Sequence, residues 1–266
     1  MNVQAGGFYQ GLRPIERITV SQWADKYRFL SPVSSAEPGR YRTNRTPYLQ
    51  AIMDTLSVHD PHKKIVFVKA AQIGGTEAGT NFLGYCMHIA PAPTMFVQPT
   101  DEMVKRLSKG RIDPLIEMCP ELQQRVAPSK SRDSNNTITQ KSFNGGVLIL
   151  AGANSAAGLR SVPIRNLVLD EVDAYPQDLD GEGSPIDLAT ARTRTFPNHK
   201  IFMLSTPTIE GASAIARESN VVHSGRSCPS RVSNSSRSSI VESRAASRAI
   251  ISSSSLCWPS LNLDCP

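Results

Sequence analysis

The chain has 266 residues, 39% of them apolar and 20% charged, and its 29 basic against 23 acidic side chains give a formal net charge of +6. That composition excludes a collagen and an acidic disordered chain, and the longest apolar run, 145–153, is far short of the roughly 20 residues a bilayer helix needs. Residues 1–17 hold no apolar stretch of the signal-peptide kind, and the five cysteines are odd in number and lack a C-x-x-C pair, so the expectation is a soluble cytoplasmic protein with reduced thiols, no membrane association and no zinc site.

In chain order, residues 1–17 read as an N-terminal extension, and 18–58 as mostly helical around Trp23 and the stretch 47–57. Lys64-Ile65-Val66-Phe67-Val68-Lys69 predicts an apolar strand, followed by a Gly-Gly turn and a helix from Thr76 to about Ile89. Thr94-Met95-Phe96-Val97-Gln98 predicts a second strand, closed by Pro99, and Asp101 is positioned to cap a helix running to about Gly110. Thr137-Ile138-Thr139 and Val147-Leu148-Ile149-Leu150 flank Asn144-Gly145-Gly146, which predicts a hairpin. The last two strands are expected at 166–170 and 200–205. Apolar strands alternating with helices predict an α/β fold, a mostly parallel sheet covered by helices on both faces. After Glu218 the character changes: residues 219–266 hold 16 serines and five arginines against only Glu242 and Asp264. Such a segment has little apolar surface to offset chain entropy, so a non-packing, disordered tail is expected.

A phosphate loop needs a strand, a Gly-rich turn, a basic side chain and a Ser or Thr opening the next helix. Lys69-Ala70-Ala71-Gln72-Ile73-Gly74-Gly75-Thr76 supplies these parts in that order, which makes Lys69, Gln72, Gly74, Gly75 and Thr76 candidate ATP-binding residues, with Thr76 also a magnesium ligand. The pattern departs from G-x-x-x-x-G-K-[ST]: Gly75 stands where the lysine is usual, and Lys69 where the first glycine is. The stretch taken alone fits an ordinary strand-turn-helix equally well. Leu167-Val168-Leu169-Asp170-Glu171 adds an apolar strand ending in two carboxylates. Asp170 suits the magnesium shell and Glu171 a general base for the attacking water, with solvated strand-end acids as the alternative.

Around them, Thr206 in Ser205-Thr206-Pro207 could sense a γ-phosphate, or simply belong to a polar turn. Gln50 in Thr46-Pro47-Tyr48-Leu49-Gln50 could read an adenine edge, or be a surface residue. Arg160, Arg165, Arg192 and Arg194 offer guanidinium groups for transition-state charge or for a surface or DNA-facing role. Lys105, Arg106, Lys109 and Arg111 could touch DNA phosphates or form a solvated helix face. The histidines show no ligand spacing.

The segments 21–28, 36–43 and 45–48, the loop 69–76, Asp170-Glu171, Glu182-Gly183-Ser184-Pro185 and Ser205-Thr206-Pro207 together resemble, in the same order, the lambda-type (gpA-like) large terminase subunits of tailed bacteriophages. The resemblance covers about residues 18–217, and in that family the early lysine of the phosphate loop is itself typical. It implies a P-loop NTPase of the RecA/ASCE kind over 18–218. The implied activity is hydrolysis of ATP with Mg2+, coupled to packaging of double-stranded DNA into a procapsid in the bacterial host cell. It further implies a small terminase subunit and a portal as partners, and a homo-oligomer when full-length. The pattern stops after Arg217, so the family's nuclease domain and its endonuclease activity are not expected in this chain. Two other readings stay open from the residues themselves: a remnant that binds nucleotide or DNA without turnover, and a helicase-type ATPase.

Overall fold

The computed structural model describes residues 16–32, 35, 37–126, 136–208, 212–224, 239–243 and 247–252. The chain enters through helix α1 (Val20–Tyr27), whose start is fixed by a capping box in which Thr19 and Gln22 satisfy one another's backbone N–H groups. Strands β1 (Phe29–Leu30) and β2 (Gly39–Arg40) form a small antiparallel pair, and α2 (Tyr48–Thr55) follows. The large sheet then begins with β3 (Lys64–Val68), which leads through the glycine turn into α3 (Gly75–His88), β4 (Thr94–Gln98) and α4 (Asp101–Leu107). A π-helical turn over Ser108–Ile112 joins α4 to α5 (Asp113–Glu117) and α6 (Pro120–Gln123). Next come β5 (Gln140–Phe143), β6 (Gly146–Gly152), α7 (Ala156–Arg160), β7 (Asn166–Asp170), α8 (Pro185–Ala191), β8 (Lys200–Ser205) and α9 (Ala214–Ser224), and finally β9 (Ser239–Ser243) and β10 (Ser247–Ser252).

The eight strands of the large sheet lie in the order β5-β6-β4-β7-β8-β3-β10-β9. From β6 to β3 every neighbouring pair is parallel, while β5 and β10 pair antiparallel at the two flanks. The α/β expectation is therefore met, and the reason is visible in the burial. Strands β4, β7 and β8 are buried at every position, as apolar runs covered on both faces must be. Alternate residues divide between two cores. Phe67, Phe96, Val168 and Phe202 pack with Trp23, Leu49, Ile52 and Phe82 of α1 to α3. Val66, Met95, Leu167, Leu169 and Met203 pack with Leu159, Ile186 and Ile215 of α7 to α9. Helix α1 sits close on α3 because Gly84 leaves room for the Trp23 indole; a Cβ there would overlap the ring.

Two local expectations need correction. The hairpin's first strand is Gln140–Phe143, not 137–139: Phe143 pairs with Gly146 across a two-residue Asn144-Gly145 turn, with Gly145 at φ +90°, and this turn sets the register. The cap of α4 is Thr100, extended and accepting from Met103 N through its hydroxyl, so Asp101 is the first helical residue rather than the cap. Within 219–266, read above as a non-packing tail, the described residues are the end of α9, to Ser224, and strands β10 and β9, with β10 paired to β3 and to β9. Short β-branched stretches, Ile240-Val241 and Ile250-Ile251, lie in those two strands and suit an edge that otherwise presents unpaired backbone groups. The rest of that segment, like residues 1–15, lies outside the described residues.

Candidate nucleotide site

The parallel register delivers the site. Val68 is paired with Ser205, and Asp170 with Leu204, so β3, β8 and β7 end side by side. The residues that follow them, Lys69, Thr206 and Glu171, therefore emerge at one edge of the sheet, the edge where open α/β sheets hold their ligands.

At the end of β3 the backbone turns sharply into α3. Gln72 (φ +58°) and Gly74 (φ +81°) both take left-handed conformations; glycine adopts one freely, whereas for Gln72 it is a sparsely populated state. The Lys69 side chain, only 5% exposed, folds back over Gly75: a Cβ at Gly75 would lie 2.7 Å from Lys69 Cδ and 2.9 Å from Leu204 Cδ1. Here is the physical reason for the exchanged pattern of the loop. Lysine at position 69 and a side chain at position 75 would compete for the same space. Lys69 Nζ donates to Glu171 Oε1 at 2.5 Å and lies 3.5 Å from Thr206 Oγ1.

Asp170, 2% exposed, is the most enclosed acid of the site. Its Oδ2 accepts from Thr76 Oγ1 and from Gln98 Nε2, each at 2.9 Å, while Oδ1 is buried with no hydrogen-bond partner among the described residues. Burial pushes its carboxyl pKa upward, and the two hydrogen bonds oppose that shift. An unsatisfied buried carboxylate oxygen beside a threonine hydroxyl is a hard-oxygen donor set, which fits magnesium. Glu171, at φ +53°, has a backbone conformation that turns the chain away from the strand direction. Its Oε2 lies 3.4 Å from the Thr206 backbone N, which donates to it, and 3.5 Å from Ser205 Oγ.

A cleft of roughly 460 Å3 opens over these groups, lined by Thr76, Gln98, Asp170 and Glu171 on one side and by Met103, Arg106, Leu107, Gly110 and Arg111 on the other. The start of α2 abuts the phosphate loop: Tyr48 OH donates to Ile73 O at 3.1 Å, and Leu49 touches the space above Gly74. Gln50 is exposed on the same helix.

The structure thus brings together Lys69, Gln72, Gly74, Gly75, Thr76, Asp170, Glu171 and Thr206, with the Gln50 segment beside them. Other candidates lie elsewhere. Arg165 precedes β7, about 16 Å of strand from Asp170, and its Nε donates to Asn198 O. Arg192 O accepts from Ile164 N at that same far end, Arg160 pairs with Glu182 at 2.6 Å, and Arg194 is exposed beyond α8. One residue of the cleft was not anticipated and another reads in the sequence for a different role. Gln98 is the polar end of an apolar strand, and since Val97 pairs with Leu169 it falls beside Asp170; that register was its one available signal. Arg111 reads in the sequence as a DNA-phosphate contact or a solvated helix residue, and its place on the cleft wall depends on the π turn.

The family described as phage terminase large subunit gpA, ATPase domain, matches residues 35–226. The chain belongs to this family. It is 28% identical over 217 residues to the terminase large subunit of Enterobacteria phage P21, covering 81% of this chain and 33% of that protein. Against the terminase large subunit of Escherichia phage lambda it is 28% identical over 211 residues, 78% of this chain and 32% of that one. The chain therefore spans about a third of the length of these curated relatives. The fold is also that of the HK97 bacteriophage large terminase, with a TM-score of 0.58 at 14% identity, covering 79% of this chain and 42% of the other. Among the described residues, no helix of this gpA-family chain is long and apolar enough to cross a membrane.

Proposed function

We propose that residues 18–218 form the ATP-hydrolysing motor domain of a phage terminase large subunit, coupling hydrolysis to movement of double-stranded DNA into a procapsid. The observation that carries this reading is the convergence of Lys69, Thr76, Asp170 and Glu171 at one sheet edge, in two hydrogen-bonded pairs, Lys69 with Glu171 and Thr76 with Asp170. Residues 1–17 and 219–266 are read as flanking this domain. A small terminase subunit, a portal and further copies of the chain are the partners that family membership supports, and the cytoplasm of a bacterial host is where such a motor would work.

Each residue has a distinct part. The backbone N–H groups of 72–76 sit at the start of α3, where anions are favoured, and Lys69 supplies the cation that the usual lysine position lacks. Asp170 and Thr76 would hold magnesium, which when bound neutralises phosphate charge and fixes the geometry of the triphosphate. Gln98 orients the Asp170 carboxylate through Oδ2, leaving Oδ1 as the free donor atom. Glu171 accepts the proton of the attacking water. Its ion pair with Lys69 holds it in check: a phosphate that draws the ammonium away leaves the carboxylate available as a base. Thr206, between Lys69 Nζ and Glu171 Oε2, is placed to register that exchange. Gln50, on the helix beside the loop, is read as the adenine contact.

A titration of the purified chain with ATP, with and without magnesium, tests the reading. The expected result is saturable, magnesium-dependent binding that weakens at least about tenfold in Lys69→Ala; binding that is indifferent to Lys69 would count against it.

A further inference from the structure

The far wall of the nucleotide cleft, built by α4 and the π turn, carries two arginines, and their settings differ. Arg106 pairs with Glu102 one turn earlier on the same exposed helix face, an arrangement that fixes little. Arg111 donates from Nη1 to Glu77 Oε2 at 2.6 Å, and the other oxygen of that carboxylate accepts from Arg28 Nη2 at 2.5 Å. Arg28 is 4% exposed and Glu77 17%, so the anchor is inside the protein while Arg111, at 39%, still reaches the cleft. Glu77 directly follows Thr76 in the first turn of α3, so the residue that holds Arg111 is next in the chain to the one that donates to Asp170. The π turn that carries Arg111 is of the kind often found at functional sites. Across from it stand two acids, and Lys69 is already engaged with one of them.

A magnesium-bound triphosphate remains anionic and, placed beside Asp170 and Glu171, needs a second cation. We infer that Arg111 contacts the terminal phosphate of ATP from the far wall, and that Glu77 is a positioning residue, locked by Arg28, that keeps the guanidinium aimed into the cleft. This rests on the nucleotide-site reading above and adds a residue that distinguishes ATP from ADP. It also ties the N-terminal segment, through Arg28, to occupancy of the site.

The test compares affinities of the full chain for ATP and ADP, both with magnesium, in the wild type and in Arg111→Ala, Arg111→Gln, Arg111→Lys and Glu77→Gln. Arg111→Ala and Arg111→Gln should each weaken ATP binding at least about tenfold and ADP binding less than about twofold. Arg111→Lys should recover part of the loss, and Glu77→Gln should show a smaller loss in the same ATP-selective sense. The half-exposed setting of Arg111 predicts melting temperatures close to wild type for its variants, and Arg111→Gln carries the test if Arg111→Ala fails to fold. Unchanged affinities, or equal loss for ATP and ADP, would overturn the inference. If the wild type binds but Lys69→Ala does not, and Arg111→Gln behaves as wild type, only the role of Arg111 falls; if the wild type binds neither nucleotide, the nucleotide-site reading falls with it.

Discussion

Replacing Gly75 by alanine isolates the feature that makes this phosphate loop unusual. The added methyl would lie 2.7 Å from Lys69 Cδ, 3.0 Å from Lys69 Cε and 2.9 Å from Leu204 Cδ1, whereas carbon atoms pack comfortably at about 3.5–4.0 Å. Leu204 is fully buried in the core and has nowhere to retreat, so the lysine stem must move by about 1 Å, enough to break its 2.5 Å contact with Glu171. Two effects on stability oppose each other: overpacking costs about 1–3 kcal/mol, and exchanging glycine for alanine in a helix returns up to about 1 kcal/mol. Net stability should therefore fall by no more than about 3 kcal/mol. Nucleotide affinity should suffer more specifically, losing at least about tenfold, or 1.4 kcal/mol, because the displaced ammonium no longer meets the phosphates. The assay is a double-mutant cycle of ATP affinity using Gly75→Ala, Lys69→Ala and the pair. Since the methyl acts through the lysine, the double variant should bind no worse than Lys69→Ala alone. Wild-type affinity in Gly75→Ala, or fully additive losses in the pair, would refute the reasoning.

Asp170→Asn should abolish magnesium-dependent ATP binding, whereas Glu171→Gln should keep binding and stop turnover; equal loss of binding in both would contradict the division of roles. Glu77→Gln removes the charge shared by Arg28 and Arg111 and should cost about 3 kcal/mol of stability, because it leaves the buried Arg28 uncompensated; a loss under about 1 kcal/mol in urea unfolding would contradict that estimate. Lys200 Nζ donates to the backbone oxygens of Thr55, Asp60 and His62 at 2.9, 2.9 and 2.6 Å, and burial pushes its pKa down from 10.5 to about 8. Between those values the unfolded chain keeps a proton that the folded chain has released, so this group's contribution to stability rises with pH through that window. Unfolding free energies of wild type minus Lys200→Met should accordingly move in favour of the wild type from pH 8 to pH 10, and a difference flat in pH would argue against it.

Elements that announce themselves by burial were legible in the sequence. The strands at Lys64–Val68, Thr94–Gln98, Asn166–Asp170 and Lys200–Ser205 are apolar because helices cover both faces, and their polar ends mark where the sheet edge meets the site. Lys69, Thr76, Asp170 and Glu171 could be picked out because each follows or ends such a strand or opens the next helix. Residues whose role depends on geometry between elements were not legible. Gln98 reaches Asp170 through its register against β7, and Arg111 reaches the cleft through a π turn, whereas its basic neighbours in the sequence suggest only a DNA-facing or solvated helix face. Thr137-Ile138-Thr139 has the composition of a strand, yet the Asn144-Gly145 turn sets pairing from Gln140 onward, so turn geometry outweighed propensity. Arg165 directly precedes the strand that Asp170 ends, and Arg192 O accepts from Ile164 N at that same far end, so neither lies at the site.

The central claim, that this sheet edge hydrolyses ATP with Glu171 as the base, is tested most directly by single-turnover hydrolysis of bound ATP in the purified wild-type chain and in Glu171→Gln at saturating magnesium. The account predicts phosphate release from the wild type and a loss of rate of at least about a hundredfold in Glu171→Gln with nucleotide still bound. Equal rates in the two proteins would contradict it.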